Sequence, residues 1–374
     1  MPLTKNAKVL VVGPGGGIRG GIDSVIDAHM RTATWQEYKC ELIPTYADAS
    51  AARKLWAAAR AYLRFFGTIW TAGLIHIHLA GESSLIRKLP FVAMAKLWRK
   101  PLLVHVHAAS PESLFDRTPS WAVRFTLLSA DRVIALSPLW ASSIKDKCPD
   151  AKIAVIPNPA VMPASTPGAD DREPTVLYVG KLESRKGYAD LIRSAAEVVR
   201  VLPGARFVFA GHGEVKEARE LAASLGLDSS IECLGWVSRE ALPALLNRAA
   251  VFCLPSYNEG VPMCLIEAMS YGVPVVMTPV GGIPDLIQSG ENGILVTPGD
   301  IGGFSRAIIE LLKNEDGIRA RFSTAARDTV RVRCGLEHVA ALLADLYREL
   351  GEFRNDPPAS ARHLAVVSGG KSRS

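Results

Sequence analysis

The sequence predicts an α/β protein made of two doubly wound parallel-sheet units in series. Three observations carry this reading. Short apolar β-type runs alternate with helical patterns through both halves, the mark of a parallel sheet covered on both faces. Runs in both halves end in glycine loops that open a helix, where open α/β sheets place their ligands. Between the halves, residues 157–174 are rich in Pro, Ala and Asp, which is linker composition.

The elements follow in order. In the first half the strands are expected at 9–12, 41–44, 74–78, 102–107, 132–136 and 154–156, with helical stretches at 22–31, 51–66, 84–98 and 120–129. In the second half the strands fall at 175–179, 206–210, 231–234, 251–254, 273–277 and 293–296. Helices at about 187–201, 214–226, 238–248, 262–271, 284–288 and 301–313 link or flank them. A last helical pattern spans 336–350. The domains are therefore placed at 1–165 and 166–352, with a disordered tail at 353–374.

Composition narrows the function. A chain of 374 residues with 48% hydrophobic and 21% charged residues can bury two ordinary cores. No apolar stretch reaches the length of a membrane span, and the N-terminal apolar run is too short for a secretory signal. The six cysteines are scattered with no C-x-x-C pair, so they read as reduced residues of a cytoplasmic protein rather than as disulfides or metal ligands. Residues 1–165 hold 20 Lys and Arg against 11 Asp and Glu, and the remainder holds 23 against 26. That asymmetry argues against a uniform nucleic-acid surface and for one half facing an anionic partner.

The most informative motif is Glu259 and Glu267, eight residues apart in PSYNEGVPMCLIEAMSYGVPVV. Glu259 falls in a turn after the apolar run 251–255, and Glu267 lies in the helical pattern that follows, with Leu265, Ala268 and Met269 at helical spacing. A helix N-terminus there aims backbone N–H groups at an anion, and the carboxylates can accept from sugar hydroxyls. Taken alone, the pair is equally a loop carboxylate and a solvated helix residue.

Other loops point the same way. Gly13–Gly21 is a glycine run after the first strand, but it lacks the G-x-G-x-x-G spacing and the acidic residue of a dinucleotide site. Lys181 and Lys186 bracket the loop after 175–179, so both ammonium groups can converge on one diphosphate. Gly211-His212-Gly213-Glu214 and Gly235-Trp236-Val237 end the next two strands. Four histidines, His76, His78, His105 and His107, end two strands of the first half, each pair pointing to one face. No carboxylate cluster or cysteine completes a metal site there, and no D-x-D pair follows a strand, so no metal is expected. His107 is the one placed to reach a crevice.

In their order, Gly20-Gly21-Ile22, His107, Ile156-Pro157-Asn158, Gly180-Lys181, Arg185-Lys186-Gly187, Gly211–Glu214, Gly235–Val237, Glu259 to Glu267 and Gly281–Pro284 resemble the retaining glycosyltransferases of family 4. The resemblance covers about residues 8–312, and Glu-x7-Glu after P-S is its most specific part. It implies a GT-B fold of two Rossmann-like domains facing across a cleft, with the donor on the C-terminal domain and the acceptor on the N-terminal one. It implies that Lys181 and Lys186 hold the diphosphate and that Glu267 takes the ribose hydroxyls. Glu259 and the backbone of Gly260, Val261 and Pro262 would meet the donor sugar and phosphate, and His107 a sugar hydroxyl. Gly20, Gly21, Gly211 and Val237 would complete the donor contacts. Many members carry Arg where Lys181 stands, and lysine lacks the bidentate fork. The family's last helix crosses back onto the N-terminal domain, the fate implied for 336–350.

The expected function is hexose transfer from a nucleotide diphosphate sugar to a glycan or lipid-linked acceptor, in polysaccharide biosynthesis, with no cofactor. A nucleotide-sugar epimerase and a non-catalytic binding protein on the same fold are the alternatives. Residues 51–70 and 86–100 mix Arg and Lys with aromatic residues, which suits either helices covering the sheet or peripheral contact with an anionic membrane at the cytoplasmic face.

Overall fold

The computed structural model describes residues 8–15, 20–45, 51–109 and 114–351. Four residues of the first glycine run and the tail at 353–374 lie outside them. The chain forms two compact units, one built of residues up to Pro159 together with the segment from Leu336, the other of Ala160–Gly335. The break thus falls six residues before the expected one.

The first unit holds a six-stranded parallel sheet of β1 (Lys8–Gly13), β2 (Glu41–Pro44), β3 (Ala72–Leu79), β4 (Leu102–Val106), β5 (Arg132–Ala135) and β6 (Ile153–Val155), in the order β2-β1-β3-β4-β5-β6. Its strands are apolar on both faces because helices cover both. Ile75, Ile77 and Leu79 of β3 join one core with Phe65, Phe91 and Val104. Leu74 on the opposite face joins Val9, Val11, Leu103 and Ile134. That second core is closed by the Leu336–Leu350 helix through Val339, Leu343, Ala344 and Tyr347. Tyr38 Oη donates to the Ala344 carbonyl at 3.2 Å, and its ring meets Tyr347 edge-on with centroids 5.3 Å apart.

The second unit holds β7 (Glu173–Val179), β8 (Arg206–Ala210), β9 (Ile231–Gly235), β10 (Ala249–Leu254), β11 (Val275–Met277) and β12 (Ile294–Leu295), in the order β12-β11-β10-β7-β8-β9. All pairs are parallel. Chain order reverses between β7 and β10, so the loops after these two strands part to opposite sides and leave a crevice at their carboxyl ends. In the first sheet the same reversal lies between β1 and β3.

Among the described residues, the α-helices Pro138–Lys147, Ala33–Glu37 and Ile318–Cys334 were not expected. Pro138–Lys147 starts on a Ser137 cap whose hydroxyl accepts from the Trp140 N–H, with proline in the first turn. Ala33–Glu37 is a single turn capped by Thr32. Ile318–Cys334 buries Ile318, Phe322, Ala326, Val330 and Cys334 along a stripe one residue wide, with Arg319 buried beside its first member. The aromatic stretch at 51–70 also divides: Phe65 is fully buried and Tyr62 half-buried, whereas Trp56, Phe66 and Trp70 are exposed. Among the described residues no helix is long and apolar enough to cross a membrane.

Candidate active site

The crevice of the second unit is lined by the loops after β7 and β10. After β7 the chain runs through Gly180 to the 3-10 turn Ser184–Lys186 and then the Tyr188–Val201 helix. After β10 it runs from Pro255 to Pro262 and enters the Met263–Ser270 helix. The loops are tied together. The Tyr257 N–H donates to the Arg185 carbonyl at 2.9 Å, and the Arg185 guanidinium to the Asn258 carbonyl at 2.6 Å.

At the centre of this tie, the Lys186 ammonium forms an ion pair with the Glu259 carboxylate. Both side chains are largely buried, so the pair is screened little by water. Ser256 Oγ donates to the same Glu259 oxygen at 2.9 Å, and Thr278 Oγ1 donates to the Ser256 carbonyl at 2.5 Å. Gly281 closes the loop from below, since a Cβ there would lie 1.7 Å from the Glu259 carbonyl oxygen. Its φ of +56° adds a second reason for glycine.

The two lysines do not share one partner. Lys181 is half exposed and pairs with Glu183 at 2.8 Å, while Lys186 is held by Glu259. Glu183 also receives Arg185 at 2.7 Å. The expected convergence of both ammonium groups therefore requires Lys181 to leave Glu183, a small change for an exposed pair.

Glu267 lies in the second turn of the Met263–Ser270 helix, and burial pushes its carboxyl above the usual range against the pull of Arg239. The helix has no side-chain cap at its N-terminus, which leaves first-turn N–H groups open to an anion. Pro262 is its N-cap and has no N–H, so it shapes the entry instead of donating. Gly260 and Val261 are buried in the turn before it. Gly211 is explained by packing, because a Cβ there would lie 1.7 Å from the Gly180 carbonyl oxygen. Val237 is half-buried in the loop after β9.

The first unit supplies a separate set. Gly20 is the extended N-cap of the Gly21–Met30 helix, with nothing within 4 Å of a Cβ built on it. Packing therefore does not demand glycine at this exposed helix start. His107 follows β4, and its Nε2 lies 3.0 Å from His78 Nδ1. His76 Nδ1 lies 2.8 Å from Tyr347 Oη. The four strand-end imidazoles form one packed layer, with His105 and His107 centroids 4.1 Å apart and His76 and His78 4.4 Å apart. Burial holds His76, His78 and His105 well below their usual range and pushes His107 down to about 3, helped by the positive charge of Lys88. His76, His78 and His105 keep ring nitrogens within 4.8 Å of one another, a donor set that no carboxylate or thiolate joins among the described residues.

Lys88 is buried too, and burial brings its ammonium down to about 7. It donates to the His78 carbonyl and, at 3.0 Å, to Ser84 Oγ. The motifs did not single out Lys88, Ser256 or Thr278. Ser256 carried a signal, as the serine of the P-S-x-x-E stretch; Lys88 carried none, since a lysine within a basic helical run reads as solvated.

Known proteins share the family and the fold. Residues 9–160 match the family described as Glycosyltransferase Family 4, and residues 165–329 match Glycosyl transferases group 1. The alpha-D-kanosaminyltransferase of Streptomyces kanamyceticus is 28% identical over 309 residues, 74% of this chain and 77% of that protein. A glycogen synthase of Mycobacterium tuberculosis is 26% identical over 300 residues, 74% of this chain and 69% of that protein. Among solved structures, Anabaena Alr3699/HepE in complex with UDP-glucose superposes with a TM-score of 0.74 at 21% identity, covering 92% of this chain and 100% of that one. The sucrose-phosphate synthase of Thermosynechococcus elongatus gives a TM-score of 0.76 at 19% identity, covering 92% and 99%. Two matched family regions, one on each unit, and two parallel sheets place the chain in the GT-B glycosyltransferases of the family 4 type.

Proposed function

We propose that this enzyme transfers a hexose from a nucleotide diphosphate sugar to a hydroxyl of a glycan or lipid-linked acceptor, with retention at the anomeric carbon. The observation that carries the reading is the buried Lys186–Glu259 pair beside an uncapped helix N-terminus at the strand-order reversal of the second unit. Lys186 and the helix N-terminus suit a diphosphate, and Glu259 and Glu267 suit hydroxyls. The likeness to HepE, described with UDP and with UDP-glucose, supports a uridine nucleotide as the first donor to try. As the sugar C1–O bond to the diphosphate breaks, negative charge grows on the leaving oxygen. Lys186, Lys181 and the helix N-terminus then stabilise it more than they stabilise the ground state. The acceptor oxygen bonds to C1 on the same face, and its proton passes to the leaving oxygen. No D-x-D pair follows a strand in the sequence, so the reading assigns the neutralising role to these lysines and to no divalent cation.

The test is a transfer assay with UDP- and GDP-sugars, with and without EDTA, reading the product anomer by NMR. Retained configuration, insensitivity to EDTA, and loss of transfer in Lys186→Ala and Glu259→Ala are expected. Wild-type transfer in both variants would remove the assignment, and an epimer formed without acceptor would replace it.

The reading places the enzyme at the cytoplasmic face of a membrane carrying its acceptor, in polysaccharide synthesis. Supporting it are the exposed Trp56, Leu63 and Phe66 of one helix, Trp70 of the 3-10 turn that ends it, Leu97 of the next helix, and Arg60 and Arg64 beside them. Flotation with anionic vesicles at low salt, lost at high salt, is expected; no flotation at low salt would overturn it.

A further inference from the structure

We propose that His78 is a positioning residue that fixes the ring and tautomer of His107, so that His107 presents Nδ1 to the sugar. This rests on the role that the family resemblance implies for His107, a contact with a sugar hydroxyl during the proposed transfer.

Four observations carry it. First, His78 Nδ1 and His107 Nε2 are 3.0 Å apart, and the bond occupies the His107 nitrogen farther from its own backbone. Second, the bond is diagonal. In the sheet register His78 stands opposite His105, two residues before His107, so its ring leans along the strands to reach His107. Third, the main chain under both rings is fastened. The His107 N–H donates to the Leu79 carbonyl at 2.7 Å, Lys88 holds the His78 carbonyl, and Ser84 Oγ accepts from the Ala80 N–H at 3.2 Å. Fourth, a buried imidazole in a strand interior is costly where Ile or Val would serve, as Ile75 and Ile77 serve on the other face.

The chemistry follows from the neutral ring. Burial keeps both imidazoles unprotonated at neutral pH, so each carries one N–H. In the bond between them one nitrogen donates and the other accepts. Whichever role His107 Nε2 takes, its Nδ1 takes the opposite one, and the sense can reverse while the bond holds only if both rings change tautomer together. A ligand hydroxyl then meets a nitrogen of fixed sense and direction, which is how outer partners orient metal-bound histidines elsewhere. His107 acts here as an oriented hydrogen-bonding group and does not shuttle a proton.

The experiment uses the full chain. His78→Leu removes the bond, and His78→Asn keeps an amide where Nδ1 stood. By analogy with other outer-partner substitutions, His78→Leu should lower kcat by roughly tenfold or more while donor KM stays within about twofold. His78→Asn should recover most of that loss, and His78→Leu should add nothing in a His107→Ala background. Wild-type kcat in a folded His78→Leu, or an additive loss in the double variant, would overturn the proposal. Nitrogen-15 NMR of the imidazoles decides it without any sugar. One neutral His107 tautomer in the wild type, averaged in His78→Leu, supports it, and an averaged wild-type ring overturns it. If His107→Ala itself transfers at the wild-type rate, the sugar contact is wrong, and the NMR arm still judges the positioning.

Discussion

Glu259 and Glu267 belong to one motif, yet their surroundings give them different consequences when changed. Glu259 pairs with Lys186 and accepts from Ser256, so removing either member of the ion pair leaves the other buried and unpaired, at a cost of about 3–5 kcal/mol. Glu259→Gln keeps the shape and the Ser256 contact but loses the charge. Its transfer rate should fall by ~10²–10³-fold, the size seen when one group aimed at transition-state charge is lost. Glu267 is the opposite case, because burial raises its carboxyl pKa. A carboxyl raised on folding binds protons more tightly in the folded state, so stability falls as pH rises from the ordinary value of 4.5 through the raised one. At neutral pH the free enzyme carries that cost, and Glu267→Gln removes it. The variant should melt higher than wild type without ligand, while its affinity for nucleotide falls by roughly tenfold or more, one charged hydrogen bond's worth. Thermal shift with and without UDP reads both. A lower melting point in the free variant would refute the account of Glu267.

At the scale of the element, the loop from Pro255 to Pro262 is held by what lies beneath it. Gly281→Ala would drive a methyl into the Glu259 carbonyl at a residue with left-handed φ, where both space and conformation exclude it. It should cost more than about 2 kcal/mol and lower transfer by displacing Glu259. Gly20→Ala is the matched control, with extended φ and open space around the new methyl. Its melting point should hold, so any loss of transfer reports close approach of a ligand. A Gly281→Ala enzyme as stable and active as wild type would refute the role of Gly281. The sequence made these elements unequally legible. β7 and β10 are short apolar runs closed by glycine or proline, and their ends were read to within a residue or two. The Ile318–Cys334 helix was not, because its buried stripe is one residue wide and five arginines surround it. Lys186 and Glu259 were each legible from their motifs. Their union was not, since it depends on β7 and β10 lying side by side although 73 residues separate the pair.

At the scale of the whole molecule, the two sheets repeat one plan, and the alternation of strands and helices was enough to foresee it. The return of Leu336–Leu350 to the first unit was implied by family resemblance and not by the residues, whose apolar stripe fits either sheet. What distinguishes the units is where the buried bases lie. His29, His76, His78, His105 and the half-buried His107 all belong to the first unit, and loss of hydration pushes His29 down to about 4, His107 to about 3 and the other three well below their ordinary value. A histidine depressed on folding binds its proton more readily in the unfolded chain. Stability is therefore lost as pH falls below the ordinary 6.5, by up to ~1.4 kcal/mol per pH unit for each group. Five such groups in one unit predict that acid unfolds the first unit before the second. Six of the seven tryptophans lie in the first unit and only Trp236 in the second, so fluorescence reports mainly the first. Titrated from pH 7.5 to 4.5, tryptophan emission should shift before far-UV circular dichroism has lost half its signal, and His105→Leu should move the emission midpoint to lower pH. Coincident transitions by both probes, unmoved by His105→Leu, would show that the buried histidines do not set the acid limit of this enzyme.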